Sequence, residues 1–499
     1  MKHIHFVGIG GIGMSGLARY MKHLGHTVSG SDLQDTLLTQ ELRLLDIKVS
    51  TPHAKENIGT PDLVVHTSVA KADNVELLEA KKKHITTLSR KDFLPFITQE
   101  KKVYSVCGAH GKSTTTAILS CILPEANSII GAVCKSFSAK GSNIRFRQDS
   151  DLLVFEADES DKSFLNSHPY CAIVTNAEPE HMENYDYDYE HFYDCYREFI
   201  ASASHAVLNA EDEFLGTLDS VNVTKLYPSK DITNISYEVI DSEPYTIFTL
   251  KDLGEFRVWG IGEYIAVDAS LAILASLHEI DIEQIRTNLL SYQGIKKRFD
   301  IVNNNKSIVI DDYGHHPTEI KATLTSIKKY ASMRNVQKVT TIWQPHKYSR
   351  TIDNLDNFQK CFSGSDELII LPVWSAGESA VEINFQETFS AYSPLLADKV
   401  YVDGDTVFVV KEDNVIKTIN NGLIVGFGAG DITYQLRGVS WVKWRFLLLR
   451  LLQLWDMLFI CSYRKNAISR NTLRLWLLCS LGLISLCKTK ARPISTSYF

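Results

Sequence analysis

The sequence lacks the cysteine spacing of a disulfide-rich or zinc-binding protein. Its nine cysteines are widely and irregularly spaced without a CxxC pair, which predicts reduced thiols in a cytoplasmic protein. It also lacks an excess of positive charge. With 52 Lys and Arg against 59 Asp and Glu, a general nucleic-acid binder is disfavoured. A secretory leader is not expected either, because five glycines between Gly8 and Gly16 interrupt the first apolar stretch.

Long apolar runs are scarce as well. Two runs, 446–463 and 473–487, fall short of the about 20 residues that span a bilayer. They belong to the tail, residues 439–499, which has ten Lys and Arg and a single acid, Asp456. We favour an extension without a selected role over basic apolar helices that lie on an anionic membrane surface. The whole chain is too long for one core and predicts two to four domains.

The stretch from Lys102 to Ala117 contains the most informative motif. A short buried strand over 103–106 is followed by Gly-Ala-His-Gly-Lys-Ser-Thr and a helix that begins near Lys112. Such a turn directs backbone N–H groups at a phosphate, with the lysine on terminal phosphates and the Ser113 hydroxyl on Mg²⁺. Val106 replaces the first glycine of the full P-loop pattern. The alternative is a glycine-rich turn with an exposed lysine.

A second glycine-rich turn lies near the N-terminus. A strand over 2–7 is followed by Gly-Ile-Gly-Gly-Ile-Gly from Gly8, a helix from about Met14, and a second strand that precedes Asp32. This order predicts a diphosphate at the helix N-terminus and a carboxylate on a ribose. By itself the motif usually indicates a nicotinamide or flavin dehydrogenase, and a packing turn without a ligand is the weaker alternative.

Polar loops follow several other predicted strands. Strands over 151–155 and 171–175 precede acidic loops at 156–161 and 176–181. Because ligands bind beyond the carboxyl ends of parallel strands, these loops predict contacts with a metal–nucleotide complex; solvated acidic loops are the alternative. Further strands at 307–310, 339–343, 368–373 and 423–426 also precede polar loops. His315 and His316 there are equally compatible with structural and catalytic roles.

Eight motifs together resemble the Mur ligase family. In chain order they are GIGGIGMSGLA from Gly8, GAHGKSTTT from Gly108, EADESDKSFL from Glu156, TNAEPEHMENY from Thr175, GIKKRFD from Gly294, DDYGHHPTEI from Asp311, WQPHKYSRT from Trp343 and GAGDI from Gly428. The resemblance implies an α/β protein with three domains. These are a Rossmann-like UDP-sugar domain (1–98), a central P-loop-type ATPase domain with a parallel sheet (99–291) and a C-terminal Rossmann-like ligase domain (292–438).

The resemblance also implies an ATP-dependent ligase of peptidoglycan precursor synthesis. The γ-phosphate of ATP would pass to the lactyl carboxylate of UDP-N-acetylmuramate, and the amine of L-alanine would displace it to form an amide. ATP and Mg²⁺ are the expected cofactors. Because hard cations prefer oxygen ligands, a histidine ligand would make Mn²⁺ well tolerated.

Site residues are carried over from the same motifs. The implied catalytic residues are Lys112, His110, Glu159, His315 and Arg350. The implied ATP contacts are Gly108, Ala109, His110, Gly111, Lys112, Ser113, Thr114, Asp268, Arg298, His346 and Lys347. The implied UDP-sugar contacts are Gly10, Gly11, Gly13, Asp32, Thr67 and Ser68. Tyr313 and His315 would border the amino-acid pocket, and Ser113, Glu156 and His181 would bind the metal.

The chain departs from the family pattern in two places. Lys347 stands where the alanine-adding branch usually has arginine, so a point charge replaces a bidentate group. An HNxxN segment is replaced by Tyr264-Ile265-Ala266-Val267-Asp268, which alters the expected adenine contacts.

Three rival functions remain. The nearest is a recycling ligase that attaches a tripeptide to the same UDP sugar, but Tyr313-Gly314 matches the alanine-adding branch. A nicotinamide dehydrogenase leaves the Lys112 loop unexplained. An inactive homologue is disfavoured because Lys112, Glu156 and His181 are all present.

Overall fold

The computed structural model describes residues 1–438, which divide into two compact units, Met1–Lys296 and the part that begins at Lys297. The tail, 439–499, lies outside the described residues, so the predictions made for it stay predictions. Within the described part of the chain, no helix has the length and apolar character needed to cross a membrane.

The first unit begins with a five-stranded parallel sheet in the order β3-β2-β1-β4-β5. The direction in which successive strands are added to the sheet reverses between β1 and β4. The loops that follow these two strands therefore run to opposite faces and leave a crevice, which is where α/β sheets bind ligands. The strands are β1 (His3–Val7), β2 (Thr27–Ser31), β3 (Lys48–Ser50), β4 (Leu63–His66) and β5 (Thr86–Ser89), and the helices are α1 (Ile12–His23), α2 (Leu37–Leu44), α3 (Val75–Lys82), α4 (Arg90–Phe93) and α5 (Pro95–Thr98).

A second sheet in this unit has the order β12-β11-β10-β6-β9-β7-β8 and is parallel except for the edge strand β8, which is antiparallel to β7. Its central strand β6 is apolar and buried, as expected for a strand covered on both faces. The strands are β6 (Lys102–Cys107), β7 (Asn127–Cys134), β8 (Ser142–Arg145), β9 (Leu152–Glu156), β10 (Cys171–Val174), β11 (His205–Asn209) and β12 (Val223–Leu226), with helices α6 (Lys112–Ile122) and α7 (Tyr189–Ala201).

The first unit ends with a small antiparallel sheet and three helices. One hydrophobic core contains Phe6 and Leu17 of the first sheet layer as well as Ile129 and Phe155 of the second, which explains why the two sheets form one compact unit. The remaining elements are α8 (Pro228–Asp231), β13 (Ile232–Ile240), β14 (Glu243–Leu250), β15 (Glu255–Trp259), α9 (Glu263–Ser276) and α10 (Ile282–Leu289).

The second unit contains a six-stranded sheet in the order β16-β17-β24-β18-β19-β20 and a three-stranded antiparallel sheet, β21-β22-β23. In the larger sheet only β16 is antiparallel to its neighbour. The strands are β16 (Asp300–Asn304), β17 (Ser307–Asp312), β18 (Val339–Trp343), β19 (Glu367–Ile370), β20 (Leu395–Leu396), β21 (Lys399–Asp403), β22 (Thr406–Lys411), β23 (Asn414–Ile419) and β24 (Gly422–Phe427), and the helices are α11 (Pro317–Met333), α12 (Tyr348–Asp353), α13 (Leu355–Cys361), α14 (Phe385–Thr388) and α15 (Ile432–Leu436).

The α/β architecture with parallel sheets is confirmed. Several element ends are shifted from the sequence-based expectation, and two of these shifts have a plain physical reason. Helix α1 begins at Ile12, two residues earlier than expected, because Gly11 already serves as its N-cap. Strand β19 ends at Ile370 rather than at residue 373, since Pro372 has no N–H group to donate. The domain boundaries after residues 98 and 291 stay predictions.

Candidate active site

The phosphate loop lies between β6 and α6 and is closely packed. Gly108 and Gly111 have φ values of +132° and +82°, which side-chain-bearing residues rarely adopt. A Cβ atom at Gly108 would lie 2.2 Å from Thr175 Oγ1, and one at Gly111 would lie 2.6 Å from Asp268 Oδ1. The loop therefore requires glycine at both positions. Asp268, expected near adenine from the sequence, lies beside this loop.

The end of β10 positions the loop backbone. Thr175 Oγ1 and Asn176 Nδ2 both donate to the carbonyl of His110, and the N–H of His110 donates to Asn176 Oδ1. The half-exposed His110 ring lies 3.5 Å from the carboxylates of both Glu178 and Glu180. Asn176 is the first residue of the predicted polar loop 176–181, but it was not singled out as a site residue.

Lys112 forms a buried ion pair next to the loop. Its Nζ atom donates to Glu159 Oε1 at 2.9 Å and to the carbonyl oxygens of Gly108 and Ala109 at 2.5 and 3.2 Å. The side chains of Lys112 and Glu159 are only 16% and 4% exposed. Burial disfavours the charged lysine, but the attraction of Glu159 outweighs it and raises the pKa of Lys112. A positive charge therefore stands at the phosphate loop.

Oxygen atoms suited to Mg²⁺ lie beside this pair. Ser113 Oγ donates to Glu156 Oε1 at 2.9 Å, and Glu156 Oε2 accepts from the N–H of Gly131 at 2.7 Å. The buried Glu159 Oε2 has no hydrogen-bond partner among the described residues. These hydroxyl and carboxylate oxygens fit a hard divalent cation.

The third predicted metal ligand is placed differently. His181 has a left-handed backbone (φ +53°), is about half exposed, and lies 3.6 Å from Glu183. Within residues 1–438, no group of three or more His, Cys, Asp and Glu side chains is arranged to hold a metal. The structure thus brings Ser113 and Glu156 together, and the role of His181 stays a prediction.

The first glycine-rich turn is stabilised by two of its predicted ligand residues. Asp32 Oδ2 accepts from the N–H of Gly10 at 2.8 Å, so this carboxylate shapes the turn itself. Thr67, after β4, packs so closely that a Cβ atom at Gly8 would lie 2.5 Å from its methyl group. Ser68 follows Thr67 in the same loop. Gly11 caps α1, and Gly13 lies in its first turn.

Arg90 is a residue of this region that the sequence analysis missed. It is the first residue of α4, and its guanidinium lies between Gly13 and the acidic loop that begins after Glu156. The available signal was a basic residue directly after a strand of the first sheet. Its partners are separated from it by about 70 positions, so no local pattern could reveal them.

In the second unit, Asp312 joins two segments that carry predicted site residues. Its carboxylate accepts from the N–H groups of Phe299 and Gly314, both at 2.8 Å. Burial raises the pKa of Asp312 to about 6. Asp312 was not among the predicted site residues, yet it holds Arg298 next to the loop of Tyr313 and His315.

Four predicted residues lie together beyond the ends of β17 and β18. The His315 ring is 5.2 Å from that of Tyr313 and 6.0 Å from that of His346, and Arg350 Nη1 donates to His346 Nδ1 at 3.2 Å. Lys347 is the N-cap residue of α12 and has a left-handed backbone. Burial, followed by the positive charge of Arg350, lowers the pKa of His346 to about 4. The cluster combines neutral imidazoles with fixed cations, as needed to bind a carboxylate or a phosphate.

This neutral histidine predicts a pH effect on stability. In the unfolded chain His346 takes up a proton near pH 6.5, whereas in the folded state it does so only near pH 4. The unfolded state therefore binds more protons between these values, and stability falls as pH falls from about 6.5 to 4. We expect the melting temperature of His346→Gln to fall less than that of the wild type between pH 7 and pH 5. An equal decrease in both proteins would contradict the prediction.

Comparisons with known proteins agree with this geometry. Three models match: "Mur ligase family, catalytic domain" at residues 3–102, "Mur ligase middle domain" at 106–266 and "Mur ligase, glutamate ligase domain" at 297–417. The UDP-N-acetylmuramate–L-alanine ligase of Campylobacter curvus is 54% identical over 88% of this chain and 100% of its own length. The same-named enzyme of Helicobacter pylori (strain P12) is 52% identical over 87% of this chain and 96% of its own length.

Solved structures show the same fold. The UDP-N-acetylmuramate–alanine ligase of Thermotoga maritima has a TM-score of 0.72 and 26% identity, and the match covers 88% of this chain and 98% of that one. A murein peptide ligase of Psychrobacter arcticus has a TM-score of 0.58 at 21% identity, covering 88% and 100% of the two chains, a likeness of fold alone. The two glycine-rich turns, the buried Lys112–Glu159 pair and these matches lead to one conclusion: the chain belongs to the Mur ligase family.

Proposed function

We propose that this protein joins L-alanine to the lactyl carboxylate of UDP-N-acetylmuramate at the expense of ATP. The observation that carries the proposal is the phosphate loop, where Lys112, Ser113 and Glu156 converge at the carboxyl edge of a parallel sheet. Relatives 52–54% identical over most of the chain are named for this reaction. The murein peptide ligase resembles the chain in fold only. The recycling reaction with a tripeptide therefore ranks second to the reaction with L-alanine.

The residues of the first unit support phosphoryl transfer. The loop from Gly108 to Lys112 binds the phosphates of ATP, and Lys112 leaves the loop carbonyl oxygens to contact them. Ser113 and Glu156 would hold Mg²⁺, with His181 as a further ligand. Bound Mg²⁺ neutralises charge on the transferring phosphoryl group. Because a nitrogen ligand suits Mn²⁺ better than Mg²⁺, we expect the enzyme to be active with Mn²⁺ in place of Mg²⁺. His110 and Glu159 lie next to the reacting groups.

The remaining predicted residues bind the sugar nucleotide, the nucleotide and the amino acid. Gly10, Gly11, Gly13, Asp32, Thr67 and Ser68 surround the UDP sugar; Thr114, Asp268, Arg298, His346 and Lys347 contact ATP; Arg350 acts as a catalytic residue on the phosphates; and Tyr313 and His315 border the alanine pocket. A neutral His315 beside this pocket is suited to accept a proton from the incoming ammonium group, since burial lowers its pKa.

The test is phosphate release by the purified protein with ATP, Mg²⁺ and UDP-N-acetylmuramate. L-Alanine is compared with glycine, L-serine and the L-Ala-D-Glu-diaminopimelate tripeptide. Release that requires the UDP sugar and is fastest with L-alanine is the expected result. Fastest release with the tripeptide would replace the proposal by the recycling reaction, and no release with any amine would overturn it.

Removal of the tail is expected to leave this activity unchanged. All eight motifs lie before residue 439, and the family models end at residue 417. The measurement is kcat and KM for L-alanine with a protein that ends at Gly438. A truncated protein that keeps the wild-type melting temperature but loses turnover would contradict the prediction.

A further inference from the structure

Arg90 contacts the acidic loop through one nitrogen atom. Its Nη2 lies 3.0 Å from Asp158 Oδ2, 3.1 and 3.0 Å from the two oxygens of Asp161, and 2.8 Å from Ser163 Oγ. Burial opposes the charged form, but Asp161 and Asp158 raise the pKa of the guanidinium. The guanidinium is therefore charged at neutral pH.

The start of α4 holds Arg90 in place. Ser89 caps this helix, because its Oγ accepts from the N–H of Asp92 and donates to the Asp92 carboxylate. The Arg90 side chain is 17% exposed. A side chain with little freedom loses little entropy when it binds a second partner.

The opposite side of the guanidinium faces the first glycine-rich turn. A Cβ atom at Gly13 would lie 3.3 Å from Arg90 Nη1, in the first turn of α1, where exposed N–H groups attract anions. Among residues 1–438, no hydrogen bond uses Nη1 or Nε of Arg90. Guanidinium groups bind phosphate oxygens through such pairs of donors.

We propose that Arg90 is shared between the diphosphate of the UDP sugar and the carboxylates of Asp158 and Asp161. This inference rests on the proposed function and adds a residue to its sugar-nucleotide site. Two aspartates already compete for one positive charge, so a diphosphate at Gly13 draws the guanidinium away from them. The freed carboxylate of Asp158 then adds negative charge to the electrostatic surroundings of Lys112, with which it interacts. Arg90 thereby links occupancy of the two glycine-rich turns.

If the diphosphate and the aspartates compete for Arg90, changes to the arginine and to an aspartate should have opposite effects on the Kd for UDP-N-acetylmuramate. Arg90→Met removes the diphosphate contact and should raise the Kd for UDP-N-acetylmuramate by a factor of about 10–100, since a charged hydrogen bond contributes about 1.5–3 kcal/mol. Asp161→Asn removes a competing carboxylate and should lower the same Kd severalfold. Arg90→Lys keeps the positive charge but lacks the paired N–H donors of the guanidinium. Its Kd should therefore lie between those of the wild type and Arg90→Met. The measurement is titration calorimetry with UDP-N-acetylmuramate in EDTA.

A purely structural role for Arg90 gives a different pattern. Removal of either Arg90 or Asp161 would then lower the melting temperature and weaken binding of the UDP sugar together. A raised Kd in Asp161→Asn would therefore overturn the inference. An unchanged Kd in Arg90→Met would also overturn it. Arg197→Met is the matched control, because this arginine pairs with Asp194 and Glu190 on α7. If Arg90→Met does not fold, Arg90→Lys and Asp161→Asn decide. Failure of the wild type to bind UDP-N-acetylmuramate would instead refute the proposed function.

Discussion

Replacement of Lys112 by methionine is expected to lower kcat for phosphate release by a factor of about 10²–10³. Lys112 supplies a buried positive charge at the phosphate loop, where a low-dielectric environment strengthens its attraction for the charge that develops on a transferring phosphoryl group. Methionine keeps much of the volume and removes the charge. The measurement is steady-state kinetics with UDP-N-acetylmuramate and L-alanine at saturating ATP.

The matched control is Lys101→Met. Lys101 directly precedes β6, at the opposite end of the strand from the phosphate loop, where its Nζ donates to the carbonyl of Ser150 at 2.9 Å. Its loss removes the same charge from the protein and should leave kcat unchanged. A Lys112→Met protein that keeps more than about a tenth of the wild-type kcat would show that the loop lysine does not serve phosphoryl transfer.

Lys112→Met and Glu159→Gln are expected to be strongly coupled in their effects on stability. Each single change leaves one charged side chain buried without its partner, which costs about 3–5 kcal/mol for well-buried pairs. The double variant removes both charges, so its loss of unfolding free energy should be smaller than the sum of the single losses by about 1–3 kcal/mol. The measurement is urea unfolding of the wild type, the two single variants and the double variant. Unfolding is monitored by the change in fluorescence of the first unit.

The ion pair between Lys102 and Glu279 provides a control for this cycle. It lies in the same unit, but its side chains are 34% and 13% exposed, compared with 16% and 4% for the loop pair. Solvent screening should therefore reduce its coupling energy to below about 1 kcal/mol. Additive effects of Lys112→Met and Glu159→Gln would contradict the view that the loop lysine is held by a buried carboxylate.

Several site residues could be predicted because their information is local. The phosphate loop is a contiguous run in which glycine positions, a lysine and a hydroxyl follow a buried strand. Its helix begins at Lys112 as expected. The same reasoning placed the acidic loop from Glu156 near the phosphate loop, because adjacent parallel strands bring their carboxyl ends to one edge. The family resemblance implied that Glu156 and Ser113 share a ligand, and in the structure Ser113 Oγ donates to Glu156 at the end of β9.

Other features depended on contacts between distant segments. Arg90 and Asp161 are 71 positions apart, and Asn176 contacts His110 across 66 positions. Asp312 holds two segments together through backbone N–H groups, which no side-chain pattern records. In each case one partner is an ordinary polar residue in a loop, and only its position in the folded chain gives it a role.

The sequence alone determined the fold class, the family and the order of the motifs. Strand periodicity, glycine positions and catalytic side-chain types are properties of short contiguous segments, so they can be recognised without a structure. Tertiary structure alone decided which charges meet. Lys112 forms an ion pair with Glu159, and Arg90 lies between Gly13 and the acidic loop. Asp32 accepts a hydrogen bond from Gly10 and so stabilises the first glycine-rich turn. The energy of a charge depends on burial and on the distance to its partners, and both are set only when remote parts of the chain pack together.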